Sequence, residues 1–235
     1  MSLFQCLDAR PEAILAPAAL QTPLGRVQLE AICGGMKITD EPPTVTYRLP
    51  AGGWLACWHR QEFDLELLVC RPLFKSAIDT PPTDCWAGLW RLRAKATLSC
   101  TLTAVWEDGH TWTDGGPNSG QWEYIKTWED GQTEVSIGTD DDDCLAVRSR
   151  RGDGLPTDWE PYFGSTMSHF SWFSLQMAHY EVGDRGLAIP LPPLEAGQEC
   201  QIYFAVAWSP EGPDDASGFA VARAASEILA SAGCS

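Results

Sequence analysis

The chain has 235 residues, 44% of them hydrophobic and 20% charged, which is enough apolar material to bury a sizeable core and excludes a disordered tail or a fibre. Thirty-two acidic residues oppose sixteen basic ones for a net charge of −16, the wrong sign for a nucleic-acid partner. No apolar run approaches the roughly 20 residues of a bilayer helix, and the N-terminus lacks a basic segment followed by an unbroken apolar block, so no membrane contact and a cytoplasmic location are expected.

Residues 1–22 read as an N-terminal extension, with a helix or turn over Asp8–Leu20 interrupted by Pro17. Period-2 patterns then dominate. Strands are expected at 25–33 (GRVQLEAIC), 44–49 (TVTYRL), 53–60 (GWLACWHR) and 62–70 (EFDLELLVC), the last with Phe63, Leu65, Leu67 and Val69 inward and Asp64 and Glu66 outward. Residues 71–88 hold paired prolines and no clear period, so a long connection is expected there. Residues 97–106 (TLSCTLTAVW) carry the clearest alternation in the chain, Leu98, Cys100, Leu102, Ala104 and Trp106 against threonines and a serine.

Two hexads of the same shape follow, Trp106-Glu-Asp-Gly-His-Thr111 and Trp128-Glu-Asp-Gly-Gln-Thr133. Asp-Gly supplies the positive φ of a tight hairpin, so each predicts strand, turn, strand. Further strands are expected at 121–128, 132–138, 144–150 (CLAVRSR), 169–182 and 198–208, with a proline- and glycine-rich loop over 151–168. Asp214 and Asp215, an alanine-rich body and Gly233 predict one C-terminal helix over 214–232, packed on a sheet through Phe219, Ala222, Ser226 and Leu229. About ten short strands and one terminal helix indicate an all-β fold, an antiparallel β-sandwich or jelly-roll-like domain filling residues 1–235.

Nine cysteines at wide spacings, with no C-x-x-C, fit neither a zinc ribbon nor a full disulfide framework. Several lie within apolar strand patterns, where a thiol behaves as a small hydrophobe, so most are expected to be reduced. The acidic pole is residues 96–145, with eleven acids against Lys126 alone. Within it, Asp140, Asp141, Asp142 and Asp143 form a run of carboxylates that could offer oxygen ligands to calcium, although the EF-hand spacing is absent. A solvated acidic turn is the plainer expectation; no other cofactor is indicated. The arginines at 148, 150 and 151 follow directly and are expected to pair with this pole.

Eleven tryptophans are far more than a chain of this length usually carries. Trp54, Trp58, Trp106 and Trp208 fall on apolar strand faces and read as core. Trp122, Tyr124, Lys126 and Trp128 share one strand face, and a lysine among rings suggests a half-exposed platform able to stack on sugar rings, rimmed by Asp114, Glu129, Asp130 and Glu134. His59, His110, His169 and His179 are too scattered for a local metal site, and no nucleophile elbow, P-loop or dinucleotide fingerprint is present. The reading that follows is a non-catalytic β-sandwich binding or assembly protein for carbohydrate or a basic protein partner. The alternatives are a hydrolase, lyase or cyclase with a pocket in the sandwich, and an acidic immunity or inhibitor protein.

Overall fold

A computed structural model describes residues 3–6, 9–12, 18–73, 81–107, 112–119, 123–164, 185–212 and 215–234. The larger sheet is built from Arg10–Pro11 (β1), Val45–Arg48 (β5), Trp54–His59 (β6), Phe63–Cys70 (β7), Asp84–Ala94 (β8), Thr113–Ser119 (β10), Glu123–Glu129 (β11), Thr133–Asp140 (β12) and Glu199–Pro210 (β14). Ala19–Thr22 (β2), Gly25–Cys33 (β3), Met36–Lys37 (β4), Cys100–Trp106 (β9) and Gly186–Pro190 (β13) form the smaller one. The nine strands of the first run β1-β5-β6-β7-β8-β14-β12-β11-β10; the second runs β13-β9-β3-β2, with β4 attached to β3. Every pairing is antiparallel, so the fold is an all-β sandwich.

The larger sheet is covered on both faces. Leu65, Leu67, Val69, Trp90, Leu92, Trp128, Val135, Ile137, Ile202, Phe204 and Val206 meet Val27, Leu29, Leu102, Ala104 and Trp106 between the sheets. Leu55, Cys57, Leu68, Cys85, Leu89, Tyr203 and Ala205 form a second core on the outer face, under Phe4, Val221, Ile228 and Ala232. Double coverage explains the near-continuous apolar runs of β7 and β14, because a strand buried on both faces loses its polar alternation. It also corrects Glu66. This carboxylate is wholly buried and accepts the backbone N–H groups of Leu3 at 2.7 Å and Phe4 at 2.9 Å. Arg91 donates to the Leu3 carbonyl at 2.7 Å and lies over the Phe4 ring. A disulfide from Cys6 to Cys234 ties this N-terminal segment to the other end of the chain, while the seven remaining cysteines are in no disulfide.

Strand β8 begins within the expected 71–88 connection, at Asp84, and runs on to Ala94. Its apolar run is interrupted by Gly88, which the packing requires: a Cβ there would meet Leu29 Cδ1 at 2.3 Å. The hairpin after Trp128 forms as expected, with Gly131 at φ 86° and the Asp130 side chain accepting the N–H groups of Gln132 and Thr133. Residues 108–111, the turn of the first hexad, and the expected strand 169–182 lie outside the described residues.

The segment 144–150 is helical. Asp142–Arg151 (α1) starts at Asp141, whose side chain accepts the Cys144 N–H at 2.7 Å, and ends at Gly152 in the left-handed region. Acids in its first turn and arginines in its last complement the helix dipole. Glu160–Gly164 (α2) follows. The C-terminal helix is two helices, Ala216–Val221 (α3) and Ala225–Ala232 (α4), because Ala222 and Ala224 adopt extended backbone. The expected face is also corrected, since Phe219 is 62% exposed. α3 presses Val221 against β12 so closely that a Cβ at Gly138 would meet Val221 Cγ2 at 2.7 Å. Among the described residues, no helix is long and apolar enough to cross a membrane.

Candidate functional site

The aromatic strand does not form a surface platform. Tyr124 is 2% exposed, Lys126 1% and Trp128 0%, and Tyr124 and Trp128 face the interior between the sheets. Trp128 packs edge-on against Trp106 at 5.6 Å between ring centroids and touches Trp112 at 6.0 Å. Lys126 is accommodated by placing its ammonium 5.6 Å from the Trp128 ring centroid, a cation–π contact that makes burial of a lysine tolerable. Among the rim residues, Glu134 is buried and accepts the hydroxyls of Ser209 at 2.7 Å and Ser217 at 2.9 Å. Trp122 lies outside the described residues. The sequence pattern misled because Lys126 was read as a mark of exposure.

The acidic run is a strand-to-helix junction. Asp140 ends β12, Asp141 caps α1, and Asp142 and Asp143 occupy its first turn. A helix start turns successive side chains away from one another, so the four carboxylates do not converge. Among the described residues, no group of three or more His, Cys, Asp or Glu side chains is arranged to hold a metal ion. His59 Nδ1 instead lies 2.9 Å from Asp64.

What the junction does build is one wall of a cleft of about 570 Å³ on the outer face of the larger sheet. Several elements converge on it: α1 supplies Cys144, Val147, Arg148 and Arg151; β11 and β12 supply Glu123 and Asp140; β14 supplies Gln201; and the α3–α4 connection with the first turn of α4 supplies Ala222 to Glu227. Its volume falls in the range of small-molecule sites, about 300–1,000 Å³.

The floor is a fixed polar network. Arg148 is ion-paired with Asp140, both side chains almost fully buried, and donates a second bond to the Gln201 carbonyl at 2.8 Å. Cys144 Sγ lies 3.2 Å from Asp140. Burial outweighs the pull of Arg148 and pushes the Asp140 carboxyl up; burial, then the Asp140 charge, pushes the Cys144 thiol up. Arg151 and Asp153 stand exposed at the mouth, opposite Arg223, whose guanidinium donates to the Ala220 carbonyl at 2.8 Å and approaches Glu227 at 4.0 Å. Val147, Ala222, Ala225 and Leu229 add apolar wall. Of the three arginines expected to pair with the acidic pole, Arg148 does so through Asp140, whereas Arg150 pairs with Glu160 outside it; the cleft joins residues far apart in the chain and leaves no local motif.

No family model and no curated protein matches this chain. Among solved structures it is similar to one described as "Putative kojibiose phosphorylase from human microbiome", at 8% identity and a TM-score of 0.45. That match covers 98% of this chain but 30% of the other, so the chain spans under a third of that protein's length. A likeness so slight carries no argument about function.

Proposed function

We propose that the chain is a non-catalytic β-sandwich binding protein that takes a small polar ligand in the cleft between α1, the α3–α4 connection and the outer face of the larger sheet. The observation that carries this reading is the composition of the cleft. Guanidinium and carboxylate groups alternate around a pre-formed floor, a pattern suited to a ligand with many donors and acceptors, and carbohydrate hydroxyls are the class that fits it. Binding would then rest on hydrogen bonds and not on ring stacking, since among the described residues no aromatic side chain lines the cleft.

The enzyme alternative finds less support. Cys144, the thiol in the cleft, is pushed up by burial, whereas a reactive thiol is held down by cationic neighbours. Asp140 is engaged by the guanidinium of Arg148 and lies beside the Cys144 thiol. A basic protein partner, with the immunity or inhibitor role that goes with it, is the second reading, favoured by the net charge of −16. As for location, the Cys6–Cys234 disulfide supports an oxidising compartment over the cytoplasm.

Thermal denaturation with a panel of soluble mono- and oligosaccharides tests the reading. A sugar bound only by the folded state at about 100 times its Kd stabilises by about 2.7 kcal/mol, a shift of roughly 5–10 °C for a chain of this size. Ser226→Trp, placed at an exposed position of the mouth, should abolish the shift without lowering the unliganded Tm. Sugars recovered chemically changed would favour the enzyme, and a shift with a polyarginine peptide alone would favour the basic partner.

A further inference from the structure

Cys33 ends β3 and Cys100 begins β9, and the two are register partners in the smaller sheet. The Gly34 N–H donates to the Ser99 carbonyl at 2.9 Å, which places the pair in a non-hydrogen-bonded position. There the Cα atoms of opposed residues are about 4.5 Å apart and the side chains approach most closely, within the roughly 4.4–6.8 Å that a disulfide spans. The two sulfurs are 3.0 Å apart, closer than the about 3.5–4.0 Å of optimal non-bonded contact. Elsewhere the thiols of Cys70 and Cys85 point at backbone carbonyls, of Ile228 and Ala220 respectively.

We propose that Cys33 and Cys100 are a disulfide-forming pair, closed by thiol–disulfide exchange with a low-molecular-weight or protein disulfide while the chain folds. One cysteine thiolate attacks the oxidant disulfide, forms a mixed disulfide and expels one thiol. The second cysteine attacks the chain-side sulfur, the Cys33–Cys100 bond forms, and the second thiol leaves. The oxidant takes up two electrons and, with the two protons given up by the cysteines, ends as two thiols. Both cysteines are buried in the finished fold, at 1% and 3% exposure, so exchange belongs to the stage at which β3 and β9 have paired and the larger sheet has not yet closed over them. Hairpin-like pairing of two strands suffices to bring the sulfurs together. The compartment that sustains Cys6–Cys234 supplies the oxidant. Cys200, on β14, lies near enough to Cys33 for their charges to interact, and is the competitor for the bond.

The test is refolding of the reduced full chain in a glutathione redox buffer, alkylation in denaturant and peptide mapping without reduction. The expected product has a tryptic peptide ending at Lys37 linked to one ending at Lys126, two hydrogens lighter than their sum, and two fewer alkylated cysteines than the seven free thiols of the structure. Cys200→Ser should leave that link in place; Cys33→Ala with Cys100→Ala should remove it. Alkylated Cys33 and Cys100 in the folded product, or a link from either to Cys200, would overturn the proposal.

Discussion

Asp141 illustrates how one side chain serves the fold at a cost. Its carboxylate caps α1, yet burial, with the charges of Asp143, Asp142 and Asp140 added, pushes its pKa from 3.8 up to about 7. The folded state therefore holds this proton more tightly than the unfolded one between those values. The resulting stabilisation is fully present below pH 3.8 and is lost as pH rises through about 7. Asp141→Asn keeps a capping oxygen and cannot ionise. Allowing for screening of a partly exposed group, it should raise Tm at pH 8 by about 2–4 °C, the effect of roughly 1 kcal/mol in a chain of this size, with little change at pH 4. A lower Tm at pH 8 would show that the charge is needed at the helix start. Trp128 carries the opposite lesson. Fully buried against Trp106 and Trp112, it should cost about 3–5 kcal/mol when replaced by alanine, measured by urea denaturation, with ligand affinity of the folded fraction unchanged.

At the scale of elements, the Arg148–Asp140 pair fixes α1 to the end of β12. Arg148→Met strands a buried carboxylate and should cost about 3–5 kcal/mol, while adding Asp140→Asn should recover most of that loss; equal stability of the single and double variants in denaturant titrations would remove the pair from the account. The same junction shows where the sequence was legible. Strand β3 lies where its alternation placed it, β9 forms the later part of its expected stretch from Cys100, and β7 lies where expected although both its faces are buried; the Asp-Gly turn before β12 formed for the reason its chemistry gives. Residues 144–150 alternate like a strand, but the cap at Asp141 and the stop at Gly152 outweighed seven residues of period. Strand β8 was hidden because its neighbours bury both faces and its glycine answers to Leu29, 59 positions earlier in the chain. The cleft was illegible for a related reason, since its walls come from several separated elements and only Arg148, with its acidic partner, left a local trace.

For the whole molecule, the chain ends matter as much as the sheets. Cys6–Cys234 spans 228 positions and holds Leu3 and Phe4 over the buried Glu66. Cys6→Ser with Cys234→Ser should cost about 2–5 kcal/mol, chiefly through the freedom returned to the unfolded chain, seen as a lower but still cooperative thermal transition. A two-step melt would mean that the terminal segment and the sandwich unfold separately. On the outer face, fixed charges and apolar wall enclose a space of ligand size. The most direct measurement is a 1H–15N titration of the labelled chain with α- and β-linked glucose oligosaccharides and, separately, a polyarginine peptide. If the cleft binds carbohydrate, at least one sugar gives saturable shifts at the amides of Arg151, Asp153, Arg223, Ala225 and Ser226, absent in Ser226→Trp. Sugar-induced shifts that map elsewhere, or a cleft that responds to none of the sugars, would contradict it.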